Sequence, residues 1–163
     1  MDDLKFWEMV QTAHDQSNGD MEEKCELIEA AVSALPKADA MTFSHLFDSM
    51  MDRAYSWPLW AAAYIVSGGC SDDSFSDFRA SLISRGRNAF ENALANPGSL
   101  ADEEFDEDNW FYESYQYAVT DGVQAAVGHT VDRDQPHPAE PSGDEWSEEE
   151  VYDLYPQLSA KFS

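Results

Sequence analysis

Cysteine, basic residues and long apolar runs are all scarce in this 163-residue chain, and each shortage excludes something. Two cysteines, Cys25 and Cys70, cannot build a disulfide framework, so a reducing compartment is the default. Nine lysines and arginines stand against 33 acids, a formal net charge of -24. Nucleic-acid binding needs a basic footprint and anionic membranes repel such a chain, so neither partner is expected. The longest apolar stretch, Pro58 to Val66, is nine residues, against the roughly 20 that a bilayer span requires. No basic stretch followed by an apolar segment opens the chain, so no secretory signal is expected and the expected location is cytoplasmic. Walker loop, Rossmann fingerprint, zinc-ligand pattern and serine elbow are missing too. Those absences count against the familiar enzymes, not against every enzyme, and no cofactor or metal is assigned.

What remains is enough for a core. Hydrophobic residues make up 43% and aromatics 13%, which rules out wholesale disorder, and the length suits one domain spanning 1–163. The charge is uneven: 16 acids face 7 bases up to residue 97, and 17 face 2 from residue 98 onward. Two runs, 102–108 and 144–150, carry much of the second excess. Such runs serve solubility or a high-salt habitat, or they make a single-sign surface that attracts a basic protein partner. Composition does not separate these.

Periodicity predicts helices nearly everywhere. Leu4, Trp7, Val10 and His14 recur at helical spacing after Asp2 and Asp3. Asn18-Gly19 is a turn, and Asp20 with Glu23 makes a capping box. Cys25, Ile28, Val32 and Leu35 form the stripe of the second helix, which Pro36 ends. Phe43, Leu46, Phe47, Met50 and Ala54 mark a third, whose opposite face holds His45, Asp48 and Asp52 and reads as solvated. Strands find no support. Residues 109–128 read as an aromatic helix that Asp121-Gly122 breaks or bends, and 132–143 as an exposed Pro-rich loop. Ser147 with Glu150 reads as another capping box, after which Leu158 and Phe162 fold back onto the body. The expected fold is an all-α bundle of about seven helices.

The centre is the most informative stretch. Pro58 sits where a helix can start, and Leu59 to Val66 is apolar all round, as a central buried helix is. Gly68-Gly69 stops it, Ser71 caps the next helix, and Asp72 and Asp73 meet the positive end of its dipole. Phe75, Phe78, Leu82 and Ile83 follow on one face, and Phe90, Ala93 and Leu94 make a further helix closed by Asn96-Pro97.

The string Tyr55-Ser56-Trp57-Pro58-Leu59-Trp60-Ala61-Ala62-Ala63-Tyr64-Ile65, followed by Gly68-Gly69-Cys70-Ser71-Asp72-Asp73 and Phe78-Arg79, resembles the hallmark of an uncharacterised bacterial family, domain-of-unknown-function family 4240. Phe6-Trp7, Leu82-Ile83-Ser84-Arg85-Gly86, Asn96-Pro97, Ser99-Leu100 and the tail Tyr155-Pro156-Gln157-Leu158 are similar to it as well. The resemblance implies one cytoplasmic domain and brings no activity with it. Members usually carry an acid where this chain has Pro58, so no role of that acid transfers.

Candidate binding residues gather in the same stretch: Trp57, Trp60, Tyr64, Ser71, Asp72, Asp73 and Arg79. The aromatics read as core or as the wall of a pocket, and Ser71 to Asp73 as a helix start or as polar groups beside it. Arg79 falls on the apolar face, where an unpaired guanidinium is costly, so it needs a carboxylate from Asp72, Asp48 or Asp52, or a bound anion. Cys70 precedes a helix N-terminus, which can lower a thiol pKa, but no histidine is near it in sequence. Two functions follow. One is a non-catalytic interaction or regulatory module that binds a basic protein through the acidic C-terminal third. The other is a small-molecule-binding protein or enzyme with a pocket around Trp57, Tyr64, Asp72, Asp73 and Arg79.

Overall fold

Asp2 and Asp20 accept backbone N–H groups from Lys5 and Glu23, and with those caps α1 (Asp3–Gln16) and α2 (Met21–Ser33) begin. The chain, a computed structural model that describes residues 1–162, continues through α3 (Lys37–Arg53), α4 (Trp57–Ser67), α5 (Asp72–Ile83) and α6 (Arg87–Ala95). A 3-10 turn (Pro97–Asp102) leads to α7 (Glu107–Trp110) and α8 (Ser114–Val127), and α9 (Val151–Leu154) and α10 (Pro156–Phe162) close the chain. The structure is 68% helical, an all-α bundle with no strand among the described residues. Eight of the helices have seven residues or more, one above the expected seven, and two are single turns of four. No helix among them is long and apolar enough to cross a membrane.

Local chemistry accounts for the central joints. Ser56 caps α4 by accepting from the Leu59 amide, and Gly68, at a φ of 70°, ends it in the left-handed region that a side chain would strain. Ser71 caps α5 through the Ser74 amide. Four readings are corrected. Leu4 is 68% exposed, and α1 buries Phe6, Trp7, Val10 and Ala13 instead. The stripe of α2 is Met21, Lys24, Ile28 and Val32, with Cys25 only half-buried. No side-chain bond from Ser147 starts a helix there; α9 begins at Val151, after a turn whose carbonyl at Ser147 accepts from the Glu150 and Val151 amides.

The fourth correction concerns Gly122, at which α8 does not break. A helical glycine costs about 1 kcal/mol against alanine. Here it lets α8 lie on α2 so closely that a Cβ would stand 2.9 Å from the Glu29 carbonyl oxygen and 3.1 Å from Val32 Cβ. Backbone cannot yield to that contact. Gly122→Val should therefore lower stability by about 2–3 kcal/mol, the usual effect of overpacking a close contact. Chemical denaturation checks it, and a variant within 0.5 kcal/mol (roughly the spread of neutral surface changes) would show that the two helices separate freely.

The segment from 128 to 147 runs as a strap across the bundle. Its residues 132–137 are exposed, yet it is pinned: Ser142 donates to the Tyr55 carbonyl at 3.0 Å and accepts from the Trp57 amide at 2.8 Å. Trp146 then docks its indole N–H on the Trp57 carbonyl at 2.7 Å. Farther on, Leu158 is buried and Phe162 meets Phe105 edge-on at 5.1 Å, so the tail does fold back.

Candidate functional site

Trp57, Trp60 and Tyr64 recur on one face of α4, and the strap fills the space over them. Trp57 stacks on Trp60 at 5.4 Å, and Trp60 stacks on Phe75 of α5 at 5.0 Å. Trp146 meets Trp57 and Tyr64 edge-on at 5.7 and 5.3 Å, the offset geometry that aromatic quadrupoles favour. The Trp60 indole N–H donates to the Cys70 carbonyl at 2.9 Å. These rings form a packed column, and none of them borders the cavity described below. Ser71, Asp72 and Asp73 stay outside that cavity as well, at the exposed start of α5. Burial pushes the Cys70 thiol up to about 12, the opposite of what a thiolate nucleophile needs.

Arg79 is different. It is 3% exposed, and its guanidinium carbon lies 4.7 Å from the Tyr55 ring and 4.9 Å from the Phe75 ring, cation–π contacts at the end of the aromatic column. Its Nη1 donates to the Met51 carbonyl at 2.9 Å and its Nε to the Phe75 carbonyl at 3.4 Å. No described carboxylate comes within 4 Å of it, so the expected ion pair is not formed. Asp72 is held one step away, accepting from the Tyr55 hydroxyl at 3.3 Å. Asp52 is engaged by Arg133, and Asp48 by the same arginine at 3.5 Å. Burial pulls the Arg79 pKa down, and the more distant charge of Asp72 opposes it first, then Tyr55 and Asp52.

Beside Arg79 lies a cavity of about 250 Å³ between α3, α5, α8 and the strap. α3 contributes Phe47, Asp48 and Met51; α8 contributes Gln116, Val119, Thr120 and Val123. Ser76 precedes Arg79 on α5, and Arg133 and His137 come down from the strap. His137 packs edge-on against Tyr55 at 5.2 Å, and its Nδ1 pairs with the Pro138 carbonyl at 2.8 Å. Ser76 donates to Gln116 Oε1 at 3.3 Å, and Gln116 in turn donates to Asp77 at 3.2 Å.

Of the seven candidate residues, then, only Arg79 faces this space. Asp48, Ser76, Gln116, Arg133 and His137 were not among the candidates. The polar face of α3, read as solvated, is the seat of the strap: His45 pairs with the Asp132 carbonyl, and Asp48 and Asp52 hold Arg133. One signal was available in the sequence. Arg133 is one of two bases after residue 98, the other being Lys161, and Asp48 and Asp52 are spaced to share one base.

No group of three or more His, Cys, Asp and Glu among the described residues is placed to hold a metal ion. No curated protein and no solved structure matches the chain. A family model does match, over residues 1–124, which takes in α3, α5 and most of α8 but not the strap or the tail motif at Tyr155-Pro156-Gln157-Leu158. By that match, which covers Arg79 and the floor of its cavity, the chain belongs to the family described as "Protein of unknown function (DUF4240)".

Proposed function

We propose that this protein binds a small organic ligand in the cavity under the strap, with Arg79 as the anchor. One observation carries the reading: a buried guanidinium with no described carboxylate within 4 Å opens onto a cavity of mixed apolar and polar lining. Burying a charge is costly unless something shares it, and ligand sites have this concave, partly apolar character. The arrangement supports binding over acyl transfer. Ser76 donates to Gln116 Oε1 and not to His137, and among the described residues no hydrogen bond joins His137 to a serine of the cavity. The described residues of the acidic runs at 102–108 and 144–150 are exposed in large part, but a basic protein partner has charge alone behind it, and the cavity is the better-supported site.

The test is a thermal-shift screen of a chemically mixed metabolite library against the wild type and Thr120→Trp. Thr120 is an exposed rim residue of α8, so a bulky ring there blocks the cavity without entering the core. Compounds that bind only the folded state raise its melting temperature, by an amount equivalent to about 2.7 kcal/mol at a hundred times Kd. At least one compound should raise the wild type and leave Thr120→Trp unmoved. A library in which no member does so overturns the reading.

A further inference from the structure

The charge, shape and lining of the cavity narrow the ligand, on the assumption that the pocket reading above is right. We propose that the ligand is a compact monocarboxylate with an aliphatic body, its carboxylate seated on Arg79. A guanidinium has five N–H donors in a planar fork. Two of those in Arg79 are spent on the Met51 and Phe75 carbonyls, which leaves three without a described partner. A planar carboxylate accepts two parallel N–H bonds from such a fork, and charge-assisted bonds of this kind are the strong ones.

The neighbouring charges set the valence. Arg133 also reaches the cavity, but Asp48 and Asp52 already hold it, so among the described residues Arg79 is the cation of the lining without an acid within 4 Å. A single negative charge matches it. A second charge on the ligand would face Asp48, which lines the same cavity and lies beside Asp52. Phosphate and dicarboxylates are therefore disfavoured, and a chain of net charge -24 repels them further at a distance.

Size and lining describe the rest of the molecule. A cavity of about 250 Å³ lies just under the roughly 300–1,000 Å³ of drug-sized ligand sites, which suits a short branched chain. Phe47, Met51, Val119 and Val123 supply an apolar wall for that chain. An amine has no place at Arg79, where it would meet like charge.

The experiment is isothermal titration of 3-methylbutanoate, 4-methylpentanoate, inorganic phosphate, succinate, 3-methylbutylamine and 4-methyl-1-pentanol into the full chain. At least one of the two monocarboxylates should bind, with phosphate, succinate, the alcohol and the amine at least about tenfold weaker, as expected for the loss of a charged hydrogen bond. Arg79→Lys keeps the charge but not the fork and should weaken the carboxylate at least about tenfold. Ser76→Asp offers a second, independent variant. It places a carboxylate three residues before Arg79 on the cavity side of α5, so it should occupy the site internally, abolish carboxylate binding and raise the melting temperature of the free protein.

Phosphate or succinate binding as tightly as the carboxylates would overturn the proposal, as would carboxylate affinity unchanged in both Arg79→Lys and Ser76→Asp. Binding of the alcohol or the amine as tightly as the carboxylates, and abolished by Thr120→Trp, would remove the carboxylate assignment and leave the pocket reading standing. Carboxylate binding that survives Thr120→Trp would place the carboxylate elsewhere and overturn this assignment, with the pocket still decided by the library screen. If neither monocarboxylate binds, this assignment fails, and the library screen decides the pocket separately.

Discussion

Phe75→Ala should lower the unfolding free energy by about 3–5 kcal/mol, the range for truncating a buried phenylalanine. The ring is fully buried and joins two parts of the molecule: it stacks on Trp60 at 5.0 Å and supports the Arg79 guanidinium at 4.9 Å. Its removal leaves a void between α4 and α5 and takes one of two rings away from a buried cation. The cation–π contact adds up to about 2 kcal/mol where the cation is desolvated, so the upper half of the range is the expectation. For a chain of this size each kcal/mol moves the melting temperature by roughly 2–4 °C, so a loss of about 8–20 °C is the readout in a thermal melt. Phe75→Leu separates the two contributions, because it refills most of the volume and restores no π face. It should recover more than half the loss, and what it leaves unrecovered is the share of the cation–π contact. A drop below about 1 kcal/mol for Phe75→Ala would mean that the column relaxes around the void, as only a loosely packed site does.

That column marks the boundary of what the sequence discloses. Phe75, Phe78, Leu82 and Ile83 are legible as a buried face because helical spacing is a local property, and all four are fully buried. Caps are legible for the same reason: Asp20 to Glu23 and Ser71 to Ser74 each span three residues. The roof of the cavity is not. Asp48 and Asp52 find Arg133 across 81 residues or more, and Trp57 finds Trp146 across 89, distances over which periodicity carries no information. A run of His45, Asp48 and Asp52 on a polar face looks solvated until the strap is known to lie on it.

Gly122 shows the same limit from the other side. Its intrinsic penalty argues for a break in α8, whereas the contact with Glu29 and Val32 that requires a glycine belongs to a helix about 90 residues earlier. Arg79 was identified from its place on an apolar face, yet its partners proved to be carbonyls and rings. Their positions depend on how α3 and α5 meet, and no spacing rule encodes that.

Lys24 is the residue whose burial the sequence hid most completely, and Lys24→Met should stabilise the protein by about 2–3 kcal/mol at pH 7. Placed one position before Cys25, it takes the stripe position of α2 and is fully buried, its ammonium donating to Ser84 Oγ at 3.1 Å. No described acid pairs with it, and Arg85 is a like charge nearby. Burial first and Arg85 second bring its pKa down from 10.5 to about 8. The folded state therefore holds the proton less tightly than the unfolded chain does. Between about pH 8 and 10.5 the unfolded chain binds more protons, so stability rises with pH in that window, and the cost is fully present below pH 8. At about 1.4 kcal/mol per tenfold change in proton affinity, the drop corresponds to about 3 kcal/mol.

Methionine keeps the length of the stem and needs no counter-ion, as when apolar residues replace a buried charge elsewhere. Ser84 loses little, because its hydroxyl still donates to the Ser81 carbonyl at 2.6 Å. The advantage of Lys24→Met should be largest at pH 7 and shrink steadily from pH 8 to 10.5, read from denaturation midpoints of the two proteins at each pH. A second readout comes from His14, whose pKa is lowered by burial, then by Lys24 and Arg85. Removing Lys24 should raise it, as an imidazole proton titration followed by NMR would show. An advantage of the same size at pH 7 and pH 10.5, or a variant less stable than the wild type at pH 7, would mean that the buried ammonium is compensated by partners other than Ser84.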